Sequence, residues 1–139
     1  MNTKWNAALE ERLVRYTAIE TVSDENATTV PSTPQQLDLQ RILANELREL
    51  RARAGVLTDN GCVVPTIPST VPHAVPTVAL LAHVDTVHHF GGTTVKPRVH
   101  RNYDGSPITF PDNPGLSLTP AVNPYLGEKI GHDIITASG

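Results

Sequence analysis

The sequence predicts an α/β protein with helices packed on a mixed β-sheet, and three observations predict it. From Thr3 to about Thr21, and again from Thr33 to Gly55, apolar side chains recur at intervals of three and four, the period of an amphipathic helix. The run Val78-Ala79-Leu80-Leu81-Ala82, bounded by Pro76 and by polar residues, reads as a strand buried on both faces of a sheet. Shorter extended pieces on either side are set off by Asn-Gly, Gly and Pro, the residues of turns. The chain has 139 residues, the size of one domain and enough to bury a core.

In the first helix Trp5, Leu9, Leu13, Tyr16 and Ile19 form the apolar stripe, and Glu10, Glu11, Arg12 and Arg15 lie between them. Trp5 is read as a packing residue. Residues 23–30 have no period and read as an exposed loop. The second helix is expected to start with Thr33 as N-cap, Pro34 in the first helical position and Gln36 completing a capping box. It continues through Leu39, Leu43, Leu47 and Leu50 and is expected to stop at Gly55. Arg48, Arg51 and Arg53 near its end suit the helix dipole and read as a solvated face.

Val56-Leu57-Thr58 and Cys62-Val63-Val64 flank Asp59-Asn60-Gly61 and predict a β-hairpin. Cys62, alternating with apolar neighbours, reads as a small buried hydrophobe; a thiol nucleophile would require a base that the sequence does not place. Beyond the apolar run, Val95–His100 and Ile108–Phe110 flank Asn102–Pro107 as a second hairpin-like turn. Leu116–Leu118 suggests a short strand, Asn123–Gly127 a helical turn, and Asp133–Gly139 a strand running into a loop.

Composition narrows the function classes. Apolar content of 39% and charged content of 18% fit a globular protein rather than a disordered one. A net charge of −3 without a basic run gives no nucleic-acid surface, and no stretch reaches membrane-spanning length. No signal-peptide segment is visible and Cys62 is the single cysteine, so a cytoplasmic setting is expected. Twelve prolines, clustered at 65–76 and 107–124, mark connections and interrupted strands.

The chemistry sits where the apolar run ends. In an extended chain residues two apart point the same way, so His83 and Asp85 emerge together at a strand's carboxyl end, where open α/β sheets place ligands. Imidazole is the commonest metal-binding side chain, and a ligating histidine is usually oriented by a carboxylate on its other ring nitrogen. A purely structural His–Asp contact fits the same spacing. His88 and His89 follow closely; being adjacent they face opposite ways, so at most one would join His83 easily, and Gly91-Gly92 supplies a turn beside them.

Taken together, Val30-Pro31-Ser32-Thr33, the long helix after it, Ala82-His83-Val84-Asp85-Thr86, Asn102-Tyr103-Asp104-Gly105, and Ile134-Ile135-Thr136 with Gly139 resemble a known family. It is the zinc exopeptidase family that also holds glutamate carboxypeptidases, aminoacylases and succinyl-diaminopimelate desuccinylase. Val-Pro-Ser-Thr and Asn-Tyr-Asp-Gly narrow the resemblance to the tripeptide aminopeptidases within it. The resemblance implies that residues 1–139 are the amino-terminal, incomplete part of a zinc peptidase catalytic domain acting on short peptides. It implies that His83 binds one ion of a two-zinc site, that Asp85 is the catalytic residue beside it, and that the full-length enzyme can be a homo-oligomer. In the family the bridging aspartate, a Glu-Glu pair and further ligands lie beyond the position of Gly139, so this segment alone is expected to be inactive. Two departures stand out: Thr136-Ala137-Ser138-Gly139, where the family tends to place an aspartate before the glycine, and Val87-His88-His89, with His132 a further histidine whose role is open. The rival readings are another amidohydrolase of the family, such as a desuccinylase or carboxypeptidase-like enzyme, and a non-catalytic binding or structural module.

Overall fold

The computed structural model describes residues 3–88 and 95–138. The chain divides into two compact units, one made of Met1–Ala18 with Thr94–Gly139 and the other of Ile19–Thr93.

The Ile19–Thr93 unit is built on helix α2 (Gln36–Glu49) and an antiparallel hairpin of β1 (Arg53–Leu57) and β2 (Val63–Thr66). The helix packs on both strands and buries Gln36 and Leu39, three apart and so on one face, together with Ala44. It stops at Glu49, six residues before Gly55. Arg51 adopts the left-handed conformation (φ 63°), and the Ala52 N–H reaches back to the Leu47 carbonyl at 3.0 Å, a Schellman-type ending with an arginine where glycine is usual.

The hairpin forms where Asn60-Gly61 predicts it. Gly61 has φ +74°, and the Thr58 carbonyl accepts its N–H at 2.9 Å. A Cβ on Gly61 would sit 3.4 Å from the Pro31 ring and 3.5 Å from Leu37, so glycine there also lets the turn lie close to the start of α2. Cys62 is exposed, correcting the expectation of a buried thiol: it sits between the turn and the start of β2, and no element covers it among the described residues.

The expected strand at Val78–Ala82 is not formed. The run has neither a neighbouring strand nor a covering layer among the described residues, and Leu80 and Leu81 are 95% and 93% exposed. Leaving side chains of this size in water forgoes about 1.5–3 kcal/mol each. Among the described residues the single parallel pairing is the bridge between Val22 and Thr86 just beyond the run. The mixed α/β character is therefore present, but among the described residues it takes the form of three antiparallel two-stranded sheets rather than one mixed sheet.

In the other unit β3 (Lys96–His100) pairs with β6 (Ile134–Ser138), antiparallel and in unbroken register from Lys96 opposite Ser138 to His100 opposite Ile134. Between them lie β4 (Ile108–Phe110), β5 (Asn113–Leu118) and the single turn of α3 (Pro124–Gly127). β4 and β5 form a hairpin with a register break at Thr109/Phe110. Tyr103, Ile108, Phe110 and Leu126 make the buried core, flanked by Leu118 and Ile134.

The expected hairpin between 95–100 and 108–110 gives way to this arrangement for a visible reason. After β3 the Tyr103 N–H donates to the His132 carbonyl at 2.8 Å, and the Gly131 N–H donates to the Tyr103 carbonyl at 2.7 Å. Pairing with the β6 side thus continues past His100, and the reversal comes only at Gly105, with φ +90°. A Cβ on Gly105 would meet Ile130 Cδ1 at 3.0 Å. Gly105→Ala should therefore lose at least the ~1–2 kcal/mol that left-handed backbone costs an L-residue, read as a lower urea midpoint.

Helix α1 (Thr3–Thr17) ends earlier than its apolar period suggests. The Thr17 hydroxyl turns back to the Leu13 carbonyl at 2.8 Å, and Thr21–Ser23 is drawn into the bridge with Thr86. Its stripe also faces the wrong way for the expectation, since Trp5, Leu9 and Leu13 are exposed. The helix meets β3 through charge instead. Arg101, just after β3, donates to Glu10 Oε2 at 2.6 Å and to Asp133 Oδ2 at 2.7 Å. Asp133 also accepts the Asn102 N–H at 2.9 Å, and that backbone bond, with the Arg101 guanidinium, holds its carboxyl below the usual carboxylate range.

Because this pKa is lowered in the folded state, the stabilisation is present at neutral pH and is lost as pH falls through the lowered value, below about 4. Thermal unfolding by circular dichroism should show a midpoint that declines over that acid window, and Asp133→Asn should flatten the decline. An identical acid profile in the variant would rule the contact out as its source.

Candidate functional site

His83 and Asp85 lie in the Ile19–Thr93 unit, immediately before Thr86. That residue is pinned: its N–H donates to the Thr21 carbonyl at 3.1 Å, and its carbonyl accepts the Ser23 N–H at 2.9 Å and the Ser23 hydroxyl at 3.0 Å. The same 21–24 stretch is held from its other side. Thr33 Oγ1 donates to the Val22 carbonyl at 2.7 Å, and Ser32 Oγ accepts the Asp24 N–H at 3.1 Å. The Ser32-Thr33 and His83–Thr86 motifs, some fifty residues apart in sequence, are therefore linked through Thr21–Asp24.

This linkage also corrects the expected cap of α2. Thr33 spends its hydroxyl on Val22, and no side chain caps the helix; Gln36 reaches Ser32 Oγ at 3.1 Å instead. Sequence reading missed Ser23 and misassigned Thr33. The signal that was available is only that both are small hydroxyl residues in a loop, where they favour bonds to nearby backbone.

The two candidate site residues are brought together. His83 Nδ1 lies 3.0 Å from Asp85 Oδ1 and 3.0 Å from the Asp85 carbonyl oxygen. Both partners accept through oxygen, so Nδ1 carries the proton and donates, and the lone pair of the neutral ring is on Nε2. The His83 side chain is 85% exposed and Asp85 about half so. A ring whose Nδ1–H is held by a carboxylate and whose Nε2 is open has the form of one metal ligand with its orienting partner.

His88 points elsewhere, its Nε2 3.5 Å from Glu25 Oε1. His89 and Gly91-Gly92 lie outside the described residues. His132 belongs to the other unit, where its backbone carbonyl receives Tyr103. Among the described residues no three His, Cys, Asp or Glu side chains converge on a common point. The donor chemistry thus fits a single ligand to a metal and not a three-ligand centre.

The Asn102–Gly105 motif serves the core. The Tyr103 hydroxyl donates to the Ser106 carbonyl at 2.9 Å, and Asp104 Oδ1 accepts the Ser106 N–H at 2.9 Å and the Ser106 hydroxyl, bonds that lower the Asp104 pKa.

No family model matches the chain. The protein called peptidase T in Bacillus cereus (strain G9842) is 41% identical over 131 residues, which is 94% of this chain and 32% of that protein. The chain is a homologue of peptidase T. The same identity over the same lengths holds for peptidase T of Bacillus anthracis (strain A0248) and of Bacillus thuringiensis (strain Al Hakam). The chain spans about a third of the length of these relatives. Since 131 of its 139 residues take part, the peptidase T likeness runs through both the Ser32-Thr33 and the His83–Asp85 motifs. Among the described residues no helix is long and apolar enough to cross a membrane.

Proposed function

We propose that these residues are the amino-terminal part of the catalytic domain of a zinc-dependent aminopeptidase that releases the amino-terminal residue of tripeptides. What supports this reading is the His83–Asp85 contact at 3.0 Å together with the peptidase T relationship. Bound at such a site, zinc polarises a peptide carbonyl and lowers the pKa of a water molecule. In this proposal His83 is one ligand of a two-zinc centre through Nε2. Asp85 keeps the Nδ1–H in place, fixing the ring's tautomer and its aim, and its charge makes the ring a better donor. The remaining ligands and the proton-carrying base are assigned to the two-thirds of the peptidase T length without a counterpart here. Short peptides are the substrates, and a cytoplasmic setting suits a chain with one cysteine.

The test joins residues 1–139 to the remaining two-thirds of B. cereus peptidase T in a single-chain chimera. Zinc-dependent release of the amino-terminal residue from a tripeptide, lost in His83→Ala, is the expected result. A folded, zinc-loaded chimera that leaves tripeptides intact overturns the reading, and one that cleaves a succinylated diamino acid instead reassigns it to a desuccinylase.

A further inference from the structure

In the Thr94–Gly139 part of its unit, β3, the turn after it and β4 line a groove of about 410 Å³, a size that suits a small-molecule ligand. Successive side chains of a strand alternate in direction, so Arg98 and His100 stand on one face of β3, and both line the groove. The buried Tyr103 and Ile108 line it with them, as do Asp104 and Thr109.

Most polar groups here are already engaged. His100 Nε2 lies 2.9 Å from Thr136 Oγ1, the Tyr103 hydroxyl donates to the Ser106 carbonyl at 2.9 Å, and Arg101 is held by Glu10 and Asp133. Two charges keep capacity. The Arg98 guanidinium is exposed and has no hydrogen bond or ion pair among the described residues. Asp104 Oδ1 accepts the hydroxyl and the N–H of Ser106, bonds that keep the carboxyl ionised, yet a carboxylate offers about four acceptor positions and has room for a further donor.

These charges select the ligand. A planar guanidinium receives a carboxylate through two parallel bonds. A dianionic phosphate would take the same bonds but is repelled by Asp104, whereas a molecule that carries an ammonium as well as a carboxylate finds a partner for each end. Thr109, exposed between Ile108 and Phe110 on β4, adds a hydroxyl for the peptide bonds between the ends.

We infer that this groove binds short peptides with both termini free, the carboxylate on Arg98 and the ammonium on Asp104. The inference goes beyond the proposed aminopeptidase activity and uses none of its residues, since His83 and Asp85 take no part.

Titration calorimetry of the 139-residue chain with trialanine in metal-free buffer tests it. Saturable binding is expected, with amide signals of residues 98–109 shifting and those of 83–86 unmoved. Arg98→Ala should weaken binding about ten- to a hundredfold, the scale of one hydrogen-bonded charge. Trialanine amide should bind the unaltered chain as weakly as trialanine binds that variant, and the two changes should not add, because they remove the same contact. Asp104→Asn keeps the oxygen that accepts from Ser106 and should weaken trialanine while leaving N-acetyl-trialanine unchanged. Arg98 has no partner to lose, so the circular dichroism of its variant should match that of the unaltered chain. No binding, or binding indifferent to Arg98→Ala, overturns the proposal. Inorganic phosphate bound as tightly as trialanine overturns it in favour of an unselective anion site. Trialanine binding that His83→Ala abolishes and Arg98→Ala spares overturns it by moving the peptide to the other motif.

Discussion

Phe110→Ala is expected to cost about 3–5 kcal/mol, a loss comparable to much of the total stability of a small domain. Phe110 is 3% exposed at the end of β4 and packs with Tyr103, Ile108 and Leu126, and no other phenylalanine or tryptophan shares that cluster. Along β4 Ile108 and Phe110 alternate inward with Thr109 exposed between them, and the Phe110 backbone pairs with Asn113. The pocket left behind is walled by residues fixed on three separate segments, so it cannot close by moving one of them. Urea unfolding should show a large fall in midpoint, and amide signals of residues 96–138 should lose dispersion. A fall below about 1 kcal/mol would mean that this cluster is not what holds the unit together.

Replacement of Asp85 should weaken zinc at His83 by about 10–100-fold in the peptidase T chimera, measured by competition with a chelator. Asp85→Asn keeps an oxygen that can accept the Nδ1–H and removes only the charge, so it should fall near the lower figure. Asp85→Ala removes both and should fall near the upper one. The ordering carries the argument, because a carboxylate that merely filled space would leave affinity unchanged in the asparagine variant. The 3.0 Å contact to the Asp85 carbonyl, which neither substitution removes, explains why even alanine should not equal His83→Ala.

What could be read from the sequence was whatever local spacing determines. The His83–Asp85 contact follows from a separation of two, the hairpin from Asn60-Gly61, and the body of α2 from its leucine period. What could not be read depends on which surface arrives from a distance. β3 pairs with β6 because Tyr103 finds Gly131 and His132, and no spacing near residue 100 announces residues thirty further on. The α1 stripe and the Val78–Ala82 run are apolar patterns with the right periods for burial, yet a period states only which side chains share a face. Among the described residues nothing covers those of Trp5, Leu9, Leu80 and Leu81. Thr33 was misread for a related reason: its hydroxyl has a local option at the helix start and a distant one at Val22, and the distant one prevails.

The hydrogen bonds running from Thr33 to Val22, and from Thr21 and Ser23 to Thr86, have a bearing on how substitutions here would be interpreted. Thr33 and Ser23 hydrogen-bond to neither His83 nor Asp85, but they set where the backbone carrying that pair ends, at Thr86. A survey of single substitutions scored only by zinc affinity would return both hydroxyl residues beside His83 and invite their assignment as ligands. Swapping serine for threonine at either position separates the cases, since the exchange preserves a hydroxyl anchor while altering the geometry that a direct ligand would need.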